Sequence, residues 1–241
     1  MLKFILMMTK LIIATTIAIL FASCEMNAIK GSGNVTNENR PVNGDFKSIE
    51  ASDGLEVIVE QAAQQTITVE ADDNLQKHII TTIDNGVLVI KCKYNSYHNV
   101  TKKITVKLPV IEVIEVSKGA TLKTVNTMKS NAITLRSSSG ADMKVSIEVE
   151  KAICEASSGS HIDIDGKAIE LETKSSSGSS IDADQLLSND ITAKASSGST
   201  IEVRPLVSLN AKASSGGNIN YHNDPKTVTK DTGSGGSINK Q

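Results

Sequence analysis

A run of serines closed by a glycine recurs six times between Ile133 and Asn239, as SSSGADM, ASSGSHI, SSSGSSI, ASSGSTI, ASSGGNI and GSGGSI. The aligned glycines are Gly140, Gly159, Gly178, Gly198, Gly216 and Gly235, spaced 19, 19, 20, 18 and 19 residues apart. A period this regular, anchored on a turn residue, constrains the chain to a solenoid. A Ser/Gly-rich linker would not hold isoleucine at a fixed distance from the glycine in five of six copies.

Aligning the copies on the glycine sorts the remaining side chains into columns. Seven positions before it stand Ile133, Ala152, Leu171, Ile191 and Leu209; five before it, Leu135, Cys154, Thr173, Ala193 and Ala211; three before it, Ser137, Ala156, Ser175, Ala195 and Ala213. The column between the last two reads Arg136, Glu155, Lys174, Lys194 and Lys212. Beyond the glycine, Met143, Ile162, Ile181, Ile201, Ile219 and Ile238 alternate with Lys144, Asp163, Asp182, Glu202, Asn220 and Asn239. Alternation of period two is that of strands with one face buried and one in water. Each coil is thus expected to hold two short strands joined by a Ser-Gly corner, where glycine supplies a positive φ and serine satisfies backbone groups.

One such coil cannot bury its own apolar face, so the coils must stack. Stacked as parallel strands about 4.8 Å apart, six coils make a rod of roughly 29 Å. A leucine-rich repeat has a similar period but needs several fixed leucines and an Asn or Cys per turn, which this repeat lacks. The expected fold is all-β: a right-handed parallel β-helix with coils of 19–20 residues and a β-rich N-terminal cap.

Composition agrees. Aromatic residues make up 2% of the chain, so the core must be aliphatic, as in narrow stacked coils. A formal net charge of −2 and the lack of any basic cluster give no reason to expect a nucleic-acid partner.

Lys3 and Lys10 precede an apolar run from Leu11 to Ala22, followed by Ser23 and Cys24. The run is too short to span a bilayer and fits the hydrophobic region of a secretory signal over residues 1–23. Small residues directly before the cysteine resemble the lipobox of bacterial lipoproteins, which implies a lipidated Cys24 at the mature N-terminus, a membrane partner reached through that lipid, and a place at the outer membrane. An ordinary cleaved signal peptide is the other reading. Of the remaining cysteines, Cys154 falls in an inward column as a small buried hydrophobe, and a Cys92–Cys154 disulfide stays open.

Residues 24–44 are polar and read as a flexible tether. Residues 45–116 are strand-rich: FKSIEA, GLEVIVE and TITVEA alternate, DDNLQKHI suits a helical turn capped by Asp72 or Asp73, and Asn85-Gly86 marks a hairpin. Pro109 falls at a strand end. Ser117-Lys118-Gly119 looks like a degenerate first corner, opening a coil region over residues 117–239.

Taken in order, the lipoprotein-type leader, FKSIEASDGLEVIVEQ, TVEADDNL, DNGVLVI and the serial SSG coils resemble the auto-transporter adhesin head domain family, also called the head GIN domain, over roughly Asp45 to Asn239. The resemblance implies a β-helix-like fold, export to the envelope and adhesin-like contact with an unidentified protein or glycan. It supplies no catalytic residues.

Candidate chemistry is sparse. Asp163, Asp182 and Glu202 would form an outward acidic ladder, whose repulsion is relieved by Ca²⁺ or used in an acid/base reaction on a polysaccharide, or else is that of a solvated edge balanced by lysines across the corner. His78, His98, His161 and His222 share no metal-ligand spacing, and the serines have no nucleophile-elbow context. Two function classes remain: a non-enzymatic, lipid-anchored contact protein, and a polysaccharide-active β-helix enzyme, which would want clustered acids and aromatic platforms. No cofactor is implied.

Overall fold

The computed structural model describes residues 29–94, 97, 98 and 100–241, together with residues 8, 10, 13 and 15. The leader over 1–23, apart from those four positions, and Cys24 lie outside the described residues.

The chain forms an all-β solenoid of stacked parallel strands. Its inward columns are ladders. Ile104, Val57, Leu122, Met143, Ile162, Ile181, Ile201, Ile219 and Ile238 are register partners in that order. All but the terminal Ile238 are at most 2% exposed. A second ladder runs Leu88, Ile49, Ile114, Leu135, Cys154, Thr173, Ala193 and Ala211. Each buried aliphatic side chain removes about 2 kcal/mol worth of apolar surface from water, and only its neighbours above and below let it do so.

Where two short strands per coil were expected, the strand runs unbroken from one corner to the next: Asp142–Ala156, His161–Ser175, Ser180–Ala195 and Thr200–Ala213. Alternation hides the second bend, because a strand can turn midway without a turn residue. The unequal spacing of the corner glycines is absorbed at that bend. Register shifts fall between Asp163 and Gly166, between Ala183 and Leu187, and between Ser188 and Asp190, while the columns beside the corners stay in phase. Gly166 sits in this irregular zone with φ +114°, and a Cβ there would lie 2.0 Å from the Ile147 carbonyl oxygen.

The corners at Gly140, Gly159, Gly178, Gly198 and Gly216 are type I′ turns, with positive φ at the glycine and at the serine before it, whereas at the last corner Gly235 alone of the two is left-handed. At the first Ser-Gly corner Ser139 and Gly140 take φ 54° and 69°, and the Ala141 N–H donates to the Ser138 carbonyl at 3.2 Å. The serine before the glycine therefore also adopts the left-handed conformation, which costs an L-residue on the order of 1 kcal/mol. A hydrogen-bond ladder offsets it: Gly140 N–H donates to Ser158 O, Gly159 to Ser177 O, Gly178 to Ser197 O and Gly198 to Ser215 O, each at 3.1 Å. Inside the corner, buried Ser160 Oγ donates to Ser137 O and Ser199 Oγ to Ser175 O, both at 2.7 Å.

Residues 45–116 continue the same stack, with one reordering. Ser52-Asp53-Gly54 is a corner of the same kind, with φ 64° at Asp53 and 67° at Gly54, and the Gly54 N–H donates to Lys118 O. Ser117-Lys118-Gly119 is therefore not the first corner. Strands Ser48–Ala51 and Glu56–Gln61 lie between Val113–Val116 and Thr121–Thr124 on one side and Val87–Cys92 and Lys102–Leu108 on the other. The chain thus winds one layer outward, turns through the Asn85-Gly86 hairpin, and steps back over its first coil. Antiparallel strands close that end: Ile79–Asp84 on Val87–Cys92, Thr66–Asp72 on Lys102–Leu108, and Val35–Arg40 on Thr66–Asp72.

Two local expectations are corrected. Val35–Arg40 is strand, so the tether expected over 24–44 is in part built into the sheet. The helical turn is a 3₁₀ segment, Gln76–His78, capped by Leu75 without a side-chain bond. Asp72 instead ties two segments together, its Oδ1 and Oδ2 accepting from the Gly33 and Thr101 N–H groups at 2.7 Å each. Asp73 accepts from Ser32 Oγ and Asn34 Nδ2.

Thr173 is the polar member of the second ladder, 3% exposed, and its Oγ1 has no hydrogen-bond partner among the described residues. A buried unpaired hydroxyl costs about 1–3 kcal/mol. Thr173→Val keeps the shape and removes the hydroxyl, so it is expected to stabilise the fold by about 1 kcal/mol in denaturant titration. A loss of stability would mean the hydroxyl is solvated or bonded.

Candidate functional site

Outward side chains before the corner line a groove of about 580 Å³. It runs across several coils because the same column projects from each. Its charged wall is the column four before the corner glycine, in which Glu50, Glu115, Arg136, Glu155 and Lys174 occupy successive rungs. Its other wall is the stacked serines Ser117, Ser138, Ser157 and Ser176.

Arg136 is the centre of that wall. Nη1 bonds Glu115 at 2.5 Å and Nε bonds Glu155 at 2.9 Å, so one guanidinium bridges the rungs above and below. Its hydrogen bonds to Glu115 and Glu155 raise its pKa above the ordinary arginine value. Both carboxylates are thereby ion-paired at the surface to one guanidinium.

The acidic ladder lies beyond the corner. Asp163, Asp182 and Glu202 are register partners on successive rungs. Lys144 Nζ bonds Asp163 Oδ2 at 2.5 Å. Burial, first, raises the Asp182 pKa, opposed by the Asp184 N–H it accepts and reinforced by the charges of Asp184, Glu202 and Asp163. Rung neighbours about 4.8 Å apart project side by side, whereas Ca²⁺ needs six to eight oxygens around one point. Among the described residues no three His, Cys, Asp or Glu side chains are grouped to hold a metal ion.

Asp142, His161 and Ser180 follow one another on adjacent rungs, and His161 Nδ1 lies 2.8 Å from Ser180 Oγ. The order imitates a catalytic triad, yet the described structure contains no Asp142–His161 bond to orient the ring. Cys154 is a free, buried thiol with no disulfide to Cys92, and burial pushes its pKa up to about 12. Asn220 is 8% exposed although its column faces outward, and Asn239 Nδ2 donates to Asn218 Oδ1 at 3.2 Å and to Asn220 Oδ1 at 3.5 Å, an amide ladder between coils.

The groove escaped the sequence reading because a column shows which side chains project, and not whether their surface is concave. The extra corner did leave a signal. Counted from Gly54, Ile49, Ala51 and Val57 fall in the same inward columns as in the later repeats.

No helix among the described residues is long and apolar enough to cross a membrane. Comparison with solved structures finds the same fold in a "putative adhesin" from Bacteroides fragilis, at TM-score 0.82 and 17% identity, covering 89% of this chain and 100% of that one. A "putative adhesin" from Parabacteroides distasonis is similar at TM-score 0.73 and 21% identity, again over 89% and 100%. A "putative lipid binding protein" from the same organism is similar at TM-score 0.68 and 19% identity, over 89% and 100%. No curated protein matches the chain. The sequence profile described as "Putative auto-transporter adhesin, head GIN domain" matches residues 45–225, which takes in the groove and the corners from Gly54 to Gly216, and the chain belongs to that family.

Proposed function

We propose that this chain is a non-enzymatic, lipid-anchored protein of the cell envelope, attached at the outer membrane through Cys24, which uses the groove beside its Ser-Gly corners as an adhesin-like contact surface for a protein, cell or glycan. The observation that carries this reading is the groove itself: a long concavity walled by stacked serines and ion-paired charges. Such a wall offers hydrogen-bond donors and acceptors at a repeat of about 4.8 Å. Its charged lining suits a polar partner better than an acyl chain, which separates it from what the lipid-binding neighbour's name describes. The alternative, a polysaccharide-active enzyme, would want aromatic platforms for sugar rings, and aromatic residues make up only 2% of the chain.

The test is binding of the purified protein to intact cells and to a glycan array, wild type against Ser138→Tyr and Ser157→Tyr, which fill the groove. At least tenfold loss with an unchanged melting temperature is expected. Undiminished binding, or release of new reducing ends from a bound polysaccharide, would overturn the reading. Cys24→Ser is expected to move the protein from the membrane pellet to the soluble fraction without detergent, and its persistence in the pellet would remove the anchor.

A further inference from the structure

Many outward cations on this solenoid meet an acid on a neighbouring rung or strand: Lys103 with Glu70, Lys107 with Glu60, Lys123 with Glu56, Lys144 with Asp163, Lys151 with Glu172. Among the described residues others, such as Lys91 and Lys167, are exposed without an ion pair but stand singly. One place gathers three cations together. Lys174, Lys194 and Lys212 are direct register partners, a column of three ammonium groups spaced about 4.8 Å apart. Lys212 bonds Asp231 at 2.7 Å on its far side, but among the described residues Lys174 and Lys194 make no ion pair and no side-chain hydrogen bond. All three are exposed. Like charges directly opposite one another destabilise a strand pair, and acids stand only at the two ends of the column, Glu155 on the rung beside Lys174 and Asp231 beside Lys212.

The same three coils repeat a second feature. Their sequences at the corner read KSSSG, KASSG and KASSG, so each lysine is followed by serines on the turn: Ser176 and Ser177, Ser196 and Ser197, Ser214 and Ser215. The serines just before each glycine are exposed. Every rung therefore offers one ammonium and neighbouring hydroxyls, and the column begins at Lys174 and Ser176, which also line the groove. The basic column is the groove's continuation.

A linear polymer with a negative charge at each short repeat complements such a column. Neutral sugars are usually gripped by aromatic stacking, and the chain has no tryptophan and 2% aromatic residues. Recognition here has to work through charge and hydroxyls.

From this like-charged register column, in which Lys174 and Lys194 have no ion pair, and from its continuity with the groove we infer that Lys174, Lys194 and Lys212, with the corner serines, form a binding track for an anionic polysaccharide bearing carboxylate or sulfate groups. This rests on the contact-surface reading above and names its ligand class. Binding is driven by ammonium–anion pairing, so it weakens as salt rises and the Debye length falls below about 10 Å.

The test measures binding of dextran sulfate, polygalacturonate and neutral dextran to the purified protein at low and physiological salt. Binding of one or both anionic polymers and not of neutral dextran is expected, and the two anionic arms separate sulfate from carboxylate. Each Lys→Gln change should weaken binding about threefold and the triple variant roughly thirtyfold, while Lys→Arg retains it. Lys123→Gln, beyond the corner, makes the same change in net charge and should have no effect. No binding by the wild type, equal losses in Lys123→Gln, or a triple variant that binds like the wild type would overturn the track. Concentration-dependent self-association that is abolished by the triple variant, with no polymer bound, would instead assign the column to a second copy's acidic ladder. If Ser138→Tyr and Ser157→Tyr bind cells normally while the lysine variants lose the polymer, the groove reading fails and the track stands; the reverse pattern does the opposite.

Discussion

Alanine at position 166 is expected to destabilise the protein by about 3–5 kcal/mol, a far larger loss than a methyl group causes at other glycines. Two terms add. The backbone there holds φ +114°, which L-residues rarely adopt, and strain of that kind costs about 1–3 kcal/mol. The new Cβ would also lie 2.0 Å from Ile147 O and 3.1 Å from Ile147 N on the neighbouring coil. Strand pairing prevents that coil from moving away, because Ile147 and Gly166 are register partners within a continuous run of pairs from Asp142 to Val149. Overpacking against an immobile backbone costs a further 1–3 kcal/mol or so. For a chain of this size the sum corresponds to a drop of roughly 10 °C in melting temperature. Gly140→Ala is the control: its φ is +69°, a left-handed value that alanine reaches at about 1 kcal/mol, and no atom lies within 4 Å of the added Cβ. Equal losses in the two variants would show that the close approach at the bend has been misread.

The second large effect is expected from Ile181→Asp, a loss of about 5 kcal/mol or failure to fold. Ile181 is 1% exposed between Ile162 and Ile201. Removing it forfeits about 2–3 kcal/mol of apolar burial, and the carboxyl that replaces it has no partner in the ladder. Burial would hold that carboxyl's pKa above its unfolded value of about 3.9, so the protonated form is the one the fold tolerates. The deficit relative to wild type should then be smaller near pH 4 than at pH 7, growing as pH rises through the raised folded pKa. Ile181→Asn should show a deficit without that pH dependence. A near-normal melting curve for Ile181→Asp at pH 7 would mean that the inward column is not inward. On the adjacent outward rung the native Asp182 has the same sign of shift for a milder reason, part burial and like-charged neighbours. Asp182→Asn is accordingly expected to be neutral or mildly stabilising at neutral pH.

The contrast between positions 181 and 182 shows how much of this protein is legible before any coordinates. A period of two inside a period of 19 assigns each side chain to the interior or the surface, and the register pairs Ile162, Ile181, Ile201 and Ile219 follow from it. Gly166 shows where that reading stops. Nothing local distinguishes its DIDGK from a turn, yet it lies inside the unbroken strand His161–Ser175, at a register shift where the next coil has one residue more to accommodate. The corner at Gly54 was visible in the columns but displaced in order, since its coil pairs on both sides with strands that follow it in sequence.

The sequence by itself determined that the chain is a β-solenoid with Ser-Gly corners, because each coil repeats one local pattern and hydrophobic burial leaves a single way to stack it. Only the tertiary structure decided the order of the first coils, the midway bend that absorbs unequal repeats, and the groove where Arg136 ties Glu115 to Glu155. These depend on residues far apart in the chain coming within a few ångströms of one another. A repeat pattern says which way a side chain points, but not which neighbour it meets.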